Sequence, residues 1–231
     1  MQGIQQKIKQ KWDNFKKKSP KGYWFIHYII YPSLWFMLYF FVQSVLLTVN
    51  NTLINICILI ITGLTYWYIV THPIIKPQTR TTILQRLRTL VVILILLLVV
   101  NIVFGILMNA TNQASANQIS INEIFKLHPI KMLILAIIIG PIFEETVFRR
   151  GFISFKKKYL LLSYAISSLI FALAHMEQTP LTDVWTLTAY IMPGLAFGGE
   201  YIISKRIQDS ILLHVCYNLA AAIPIIVQLI K

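Results

Sequence analysis

Residues 22–75 read GYWFIHYIIYPSLWFMLYFFVQSVLLTVNNTLINICILIITGLTYWYIVTHPII, and they decide the fold. None of these 54 positions is Lys, Arg, Asp or Glu. A single helix needs about 20 apolar residues to cross a ~30 Å hydrocarbon core. The run is therefore long enough for two crossings, with Asn50-Asn51 as the turn between them. A second uncharged run extends from Thr89 to Asn122. Both runs are continuously apolar. A membrane β-barrel would instead show alternation in ~10-residue pieces, so the sequence specifies helices. The whole chain agrees: 57% of its residues are hydrophobic and 13% charged, where a soluble domain carries about a quarter charged.

Working outward, apolar periods place spans near 24–48, 53–72, 89–109, 130–154, 159–178, 184–204 and 210–230. The sequence thus predicts an all-α polytopic membrane protein, a bundle of about seven (six to eight) transmembrane helices. Pro193 and Pro224 are the positions where the last two spans could break into an eighth piece. The formal charge of +13 invites a nucleic-acid reading, but the basic residues do not form one patch. Seven lie in the first 21 positions, four in 76–88, five in 149–158 and two at 205–206. They alternate with polar, nearly charge-free turns at 49–52, 110–129 and 179–183. That is the positive-inside pattern. It predicts a multi-pass cell-membrane protein with a cytoplasmic N-terminus, in a bacterial plasma membrane, and no nucleic-acid partner. Residues 1–22 read as a basic cytoplasmic segment with Ile4, Ile8, Trp12 and Phe15 at helical spacing. Residues 23–125 read as the N-terminal transmembrane helices and 126–231 as the core that carries the chemistry. The apolar run after the basic N-terminus is too long for a signal-peptide core, so no cleaved leader is expected. Cys57 and Cys216 both fall in spans and imply no disulfide framework.

Against this background the stretch GPIFEETVFRRGF, residues 140–152, is anomalous. Glu144 and Glu145 lie at least 11 residues before the Lys156–Lys158 turn, about 16–18 Å into the bilayer on a helix. An ionised group there costs a few kcal/mol even on lenient scales. Glu145 and Arg149 are spaced i, i+4 and can pair. Glu144 points about 100° away with no such partner on its own helix. Arg150 has the length to snorkel toward the boundary. One carboxylate is thus held by an arginine and the other left for proton transfer. Other spans bring His175, in IFALAHMEQ, and the i, i+4 pair His214 and Asn218, in LLHVCYN. Counted from the shared turn, Glu144 and His175 differ in depth by about 7–8 Å, a gap that helix tilt closes. The reading is an intramembrane polar cavity lined from three helices. His27, His72 and His128 fit structural positions. In the sixth span Gly194 and Gly198 have the G-x-x-x-G spacing of close helix contact, and Glu200 is within reach of Lys205 or Arg206.

Three motifs in this order resemble the CPBP family, intramembrane proteases that include the CAAX prenyl endopeptidase and the bacterial Abi proteins. E-E-x-x-x-R reads Glu144-Glu145-Thr146-Val147-Phe148-Arg149, F-x-x-x-H reads Phe171 to His175, and H-x-x-x-N reads His214 to Asn218. The resemblance covers about residues 130–222. It implies hydrolysis of a peptide bond in a membrane-embedded peptide or protein. Glu144 would activate water held also by His175. His214 and Asn218 would stabilise the oxyanion, and Glu145 and Arg149 would keep the site in shape. The family has been described both as metal-free and as metal-dependent. A zinc version would use Glu144, His175 and His214, and no H-E-x-x-H is present. Oligomeric state is open.

Two other functions compete. A non-proteolytic membrane scaffold of the same family would tolerate loss of the motif residues, and here all are intact. A proton relay or transporter would use the same Glu and His residues, but the chain lacks two matching halves. Peptide processing or bacteriocin self-immunity follows from the bacterial Abi resemblance alone.

Overall fold

The computed structural model describes residues 25–75, 82–110, 123–176, 180 and 183–230, with scattered positions before residue 25. The expected amphipathic reading of 1–22 lies almost wholly outside the described residues. So do the middle of the basic 73–88 turn, most of 110–129 and most of 179–183. The described residues are helical throughout, with no strand among them.

Helix α1 runs Ile26–Thr48 and opens with one π-turn over Ile26–Ile30. Helix α2 is Thr52–Thr71. The expected turn is built by Asn51, whose Oδ1 accepts from the backbone N–H groups of Leu53 and Ile54 at 3.0 and 3.2 Å. This is the capping role for which Asn is favoured. Helix α3 is Ile83–Ala110. By length and composition, α1, α2 and α3 are each able to cross a membrane. Their large apolar side chains point outward: Leu53 is 74% exposed, Leu64 58% and Ile106 64%. Such a surface is stable only against lipid.

The polar site is carried by the helices that follow. Helix α4 runs Pro129–Gly151 and is not a uniform α-helix. Two π-turns, Leu135–Ile139 and Thr146–Gly151, bracket the α-helical piece Gly140–Glu145. Every residue from Ile139 to Gly151 is buried, so α4 is the central rod. Helix α5 is Leu160–Ala174, α6 Val184–Ser204 and α7 Ile207–Ile230. Pro193 and Pro224 lie inside α6 and α7, and both helices continue through them. Two expected spans come out shorter: α4 ends near Gly151 and α5 stops at Ala174. Length and composition mark three crossings among the described residues; the remaining four of the expected seven would be carried by these shorter or more polar helices.

The helices run up and down, which collects alternate turns at one end. Gly151, at the end of α4, is so close to α1 that a Cβ there would lie 2.8 Å from the Pro32 ring. Arg150 Nη2 donates to the carbonyl of His72, at the end of α2, at 2.7 Å. Arg86 at the start of α3 pairs with Asp209 at the start of α7, its Nε at 2.9 Å from Oδ2. The Lys156–Lys158 and Lys205-Arg206 turns belong to this end. At the α5–α6 contact a Cβ on Gly194 would meet the Ser168 carbonyl at 3.0 Å, and one on Gly198 the Tyr164 ring at 2.8 Å. The G-x-x-x-G spacing is therefore a true close approach, and a larger residue would force the helices apart.

Candidate active site

The expected convergence occurs. Glu144 Oε2 lies 3.7 Å from His175 Nε2 and 3.8 Å from His214 Nε2. Oε2 is buried and has no hydrogen-bond partner. The other oxygen, Oε1, accepts from the Tyr39 hydroxyl of α1 at 2.9 Å. Glu144 therefore presents one tethered oxygen and one bare oxygen, the bare one just beyond hydrogen-bond distance of two imidazoles.

Both imidazoles are fixed. His175 is the residue that caps α5, and its Nδ1 lies 2.8 Å from the Phe171 carbonyl. A carbonyl only accepts, so Nδ1 carries the proton and neutral His175 offers a lone pair at Nε2. Its ring stacks on Tyr190 at 5.1 Å. His214 Nδ1 lies 3.1 Å from Glu145 Oε1, and its ring stacks on Phe197 at 4.2 Å. Against the Glu145 carboxylate, Nδ1 is again the donor and Nε2 faces the site. Such fixing of the far nitrogen is how proteins set the tautomer of a working histidine.

Glu145 is the hub. It is fully buried. Its Oε2 accepts from Arg149 Nε at 3.1 Å and from Ser210 Oγ at 2.5 Å. Arg149 is equally buried and its Nη1 donates to Ser167 Oγ at 3.1 Å. The guanidinium sits 4.7 Å over the Phe171 ring. The i, i+4 pairing read from sequence is therefore real, but it is one edge of a network that reaches α5 and α7. Ser210, His214 and Asn218 repeat at i, i+4, i+8 on α7, and Ser167, Phe171 and His175 do so on α5. Each helix turns one such stripe to α4.

Asn218 has a backbone partner. Its Nδ2 donates to the carbonyl of Ala136 at 2.7 Å. The cause is Pro141. In the π-turn, the Gly140 N–H bonds to the Leu135 carbonyl. In that register the Ala136 carbonyl would need the N–H of residue 141, and proline has none. Asn218 supplies the missing donor.

Two residues miss their expected partners. Arg150 does not snorkel outward: it is 6% exposed, bonded to the His72 carbonyl and held over the Tyr68 ring at 5.3 Å. Glu200 forms no ion pair with Lys205 or Arg206. It is 1% exposed with Oε2 unpartnered, because Arg206 and Arg86 turn to Asp209 instead. Residues that sequence reasoning missed are Tyr39, Ser167 and Ser210. The serines were legible as members of the i, i+4 stripes. Tyr39 lies 105 residues from Glu144, and only a phenol within an apolar span could have signalled it.

The donor chemistry at Glu144, His175 and His214 would suit a divalent cation, but the spacing does not. Among the described residues no group of three or more His, Cys, Asp or Glu is arranged to hold a metal ion. No chemical step below passes through one.

An all-helical membrane protein with buried Glu, His and Arg side chains converging at depth is the class that fold and site define. Residues 126–220 match the family model "Type II CAAX prenyl endopeptidase Rce1-like". Over these residues the chain is similar to the Rce1-like group of the CPBP family. The chain is 35% identical over 91 residues to "UPF0177 protein YbdI" of Lactococcus lactis subsp. lactis (strain IL1403), covering 39% of this chain and 46% of that protein. It is 31% identical over 118 residues to "Putative membrane peptidase YdiL" of Bacillus subtilis (strain 168), covering 50% and 43% respectively. The matches thus span less than half the length of either relative. No solved structure matches the chain.

Proposed function

We propose that the chain is an intramembrane endopeptidase in which Glu144 is the general base. The observation that carries the reading is the bare, buried Oε2 of Glu144 facing two oriented imidazoles at 3.7 and 3.8 Å. A water beside them hydrogen-bonds to both Glu144 Oε2 and His175 Nε2. Glu144 takes its proton as the water oxygen attacks the scissile carbonyl carbon. The developing oxyanion needs donors. His214 can donate from Nε2 only when that nitrogen also carries a proton, while Glu145 holds its Nδ1–H. Asn218 contributes its remaining amide N–H, since the other is committed to Ala136. The C–N bond then breaks, Glu144 returns its proton to the leaving amine, and a carboxylic acid and an amine depart. Glu145 and Arg149 touch no substrate; they position His214.

The substrate class follows from the surroundings. A site walled by helices whose outer faces are apolar is reached by a chain already in the bilayer. A membrane-borne peptide or protein segment is the fitting substrate. Peptide processing or bacteriocin self-immunity in a bacterial plasma membrane is the biological setting we assign, supported by the Lactococcus and Bacillus relatives. The experiment is a comparison of purified wild type and Glu144→Ala in liposomes loaded with host membrane peptides, with new termini read by mass spectrometry. Termini unique to wild type support the protease. Identical profiles from two folded proteins refute it in favour of the scaffold.

A further inference from the structure

A second polar site lies at the basic end of the bundle, outside the machinery just described. A small recess of about 20 Å³, partly open to its surroundings, has Arg150, Tyr201, Lys205 and Gln208 as its polar lining. Ile69 and Ile74, from the end of α2 and the residues after it, form apolar wall. Arg150 is more than nine-tenths buried, yet its Nε and Nη1 have no hydrogen-bond partner. Its third nitrogen, Nη2, is spent on the His72 carbonyl. The Tyr68 and Tyr31 rings, 5.3 and 5.9 Å from the guanidinium carbon, orient the cation without neutralising it. Lys205 adds a second positive charge from the α6–α7 turn, fixed there by a left-handed backbone at φ 56°. Neither cation is within ion-pair distance of a carboxylate among the described residues.

A buried cation with two idle donors is expensive unless an anion completes it. Either idle N–H can give a phosphate oxygen a charge-assisted hydrogen bond, and a lysine adds a point charge. The recess lies where lipid headgroups meet the bundle, and its remaining wall is aliphatic. We infer that Arg150 and Lys205 form a binding site for the phosphate of an anionic phospholipid, whose acyl chain lies against the α2 side of the recess. The bound lipid would tie the ends of α2, α4 and α6 together. The inference does not depend on the protease reading, because neither residue faces Glu144.

The test uses full-length protein in neutral detergent, with lipid retention read by native mass spectrometry and the unfolding midpoint followed in parallel. The probes are phosphatidylglycerol, a diacylglycerol with the same chains, and inorganic phosphate at matched ionic strength. Wild type is expected to retain phosphatidylglycerol and to unfold at higher temperature with it, with no response to diacylglycerol. Lys205→Asn removes the charge with a residue that accepts the left-handed backbone. It should weaken phosphatidylglycerol binding about fivefold, the factor for one interfacial cation. Arg150→Gln should weaken it more than tenfold. Equal stabilisation by inorganic phosphate would keep the phosphate site and make the free anion its occupant. Equal retention of phosphatidylglycerol by wild type and Lys205→Asn, or a response to diacylglycerol matching that to phosphatidylglycerol, would overturn the inference.

Discussion

Replacing Arg149 with Met should be the most destabilising single change in the bundle, and the structure sets its size. Met roughly fills the volume but removes three contacts at once. These are the 3.1 Å bond to Glu145 Oε2, the 3.1 Å bond to Ser167 Oγ and the stacking 4.7 Å over Phe171. Glu145, with no exposed surface, is left as a buried anion with only Ser210 and His214 as donors. Stranding one member of a buried ion pair costs about 3–5 kcal/mol. Glu145→Gln strands Arg149 in the mirror sense. The Arg149→Met/Glu145→Gln double variant strands neither, so its loss should fall short of the sum of the singles by about 2–3 kcal/mol. The assay is reversible unfolding in mixed micelles titrated with denaturing detergent, followed by tryptophan fluorescence. Additive losses, or an Arg149→Met loss of less than about 1 kcal/mol, would refute the view of Arg149 and Glu145 as a coupled buried pair.

Tyr39→Phe keeps the ring that stacks on Phe143 at 5.9 Å and loses only the donor to Glu144. A hydrogen bond to a charged group is worth about 1.5–3 kcal/mol, so kcat on a membrane peptide should fall about 10–100-fold with KM unchanged and a stability loss no larger than that range. A wild-type rate would show that Glu144 needs no tether. Asn218→Ala strands the Ala136 carbonyl and should cost about 1–3 kcal/mol in unfolding measurements. Adding Pro141→Ala restores a backbone N–H and should recover part of that loss; no recovery would contradict the proline explanation.

How far the sequence revealed this molecule can be judged residue by residue. The helical membrane class was legible in the uncharged runs, and Asn51 as the turn-builder in the Asn50-Asn51 pair. The Glu145–Arg149 pair and the Gly194/Gly198 contact were legible because they depend on helical spacing alone. The meeting of Glu144 with His175 and His214 was legible only through the cost of charge at depth, which forces polar groups on different helices toward one another. The rest depends on departures from regular geometry. Spacing rules assume about 100° per residue, and the two π-turns in α4 break that assumption on either side of Glu144. Arg150 was read as snorkelling because length alone permits it, yet the His72 carbonyl and two tyrosine rings hold it inside. Glu200 was assigned to its nearest cations in sequence, but Asp209 competes for them from the next helix.

The central claim, that Glu144 draws the proton from an attacking water, is tested most directly by isotope. Wild type and Glu144→Gln would each cleave a liposome-embedded peptide in ¹⁸O-labelled water, with the new carboxyl termini weighed under single-turnover conditions. The account predicts one labelled oxygen in each new terminus from wild type. In Glu144→Gln, with the fold intact, cleavage should slow by about 10²–10⁴-fold, the range for losing a general base. Labelled product formed by Glu144→Gln at the wild-type rate would contradict it.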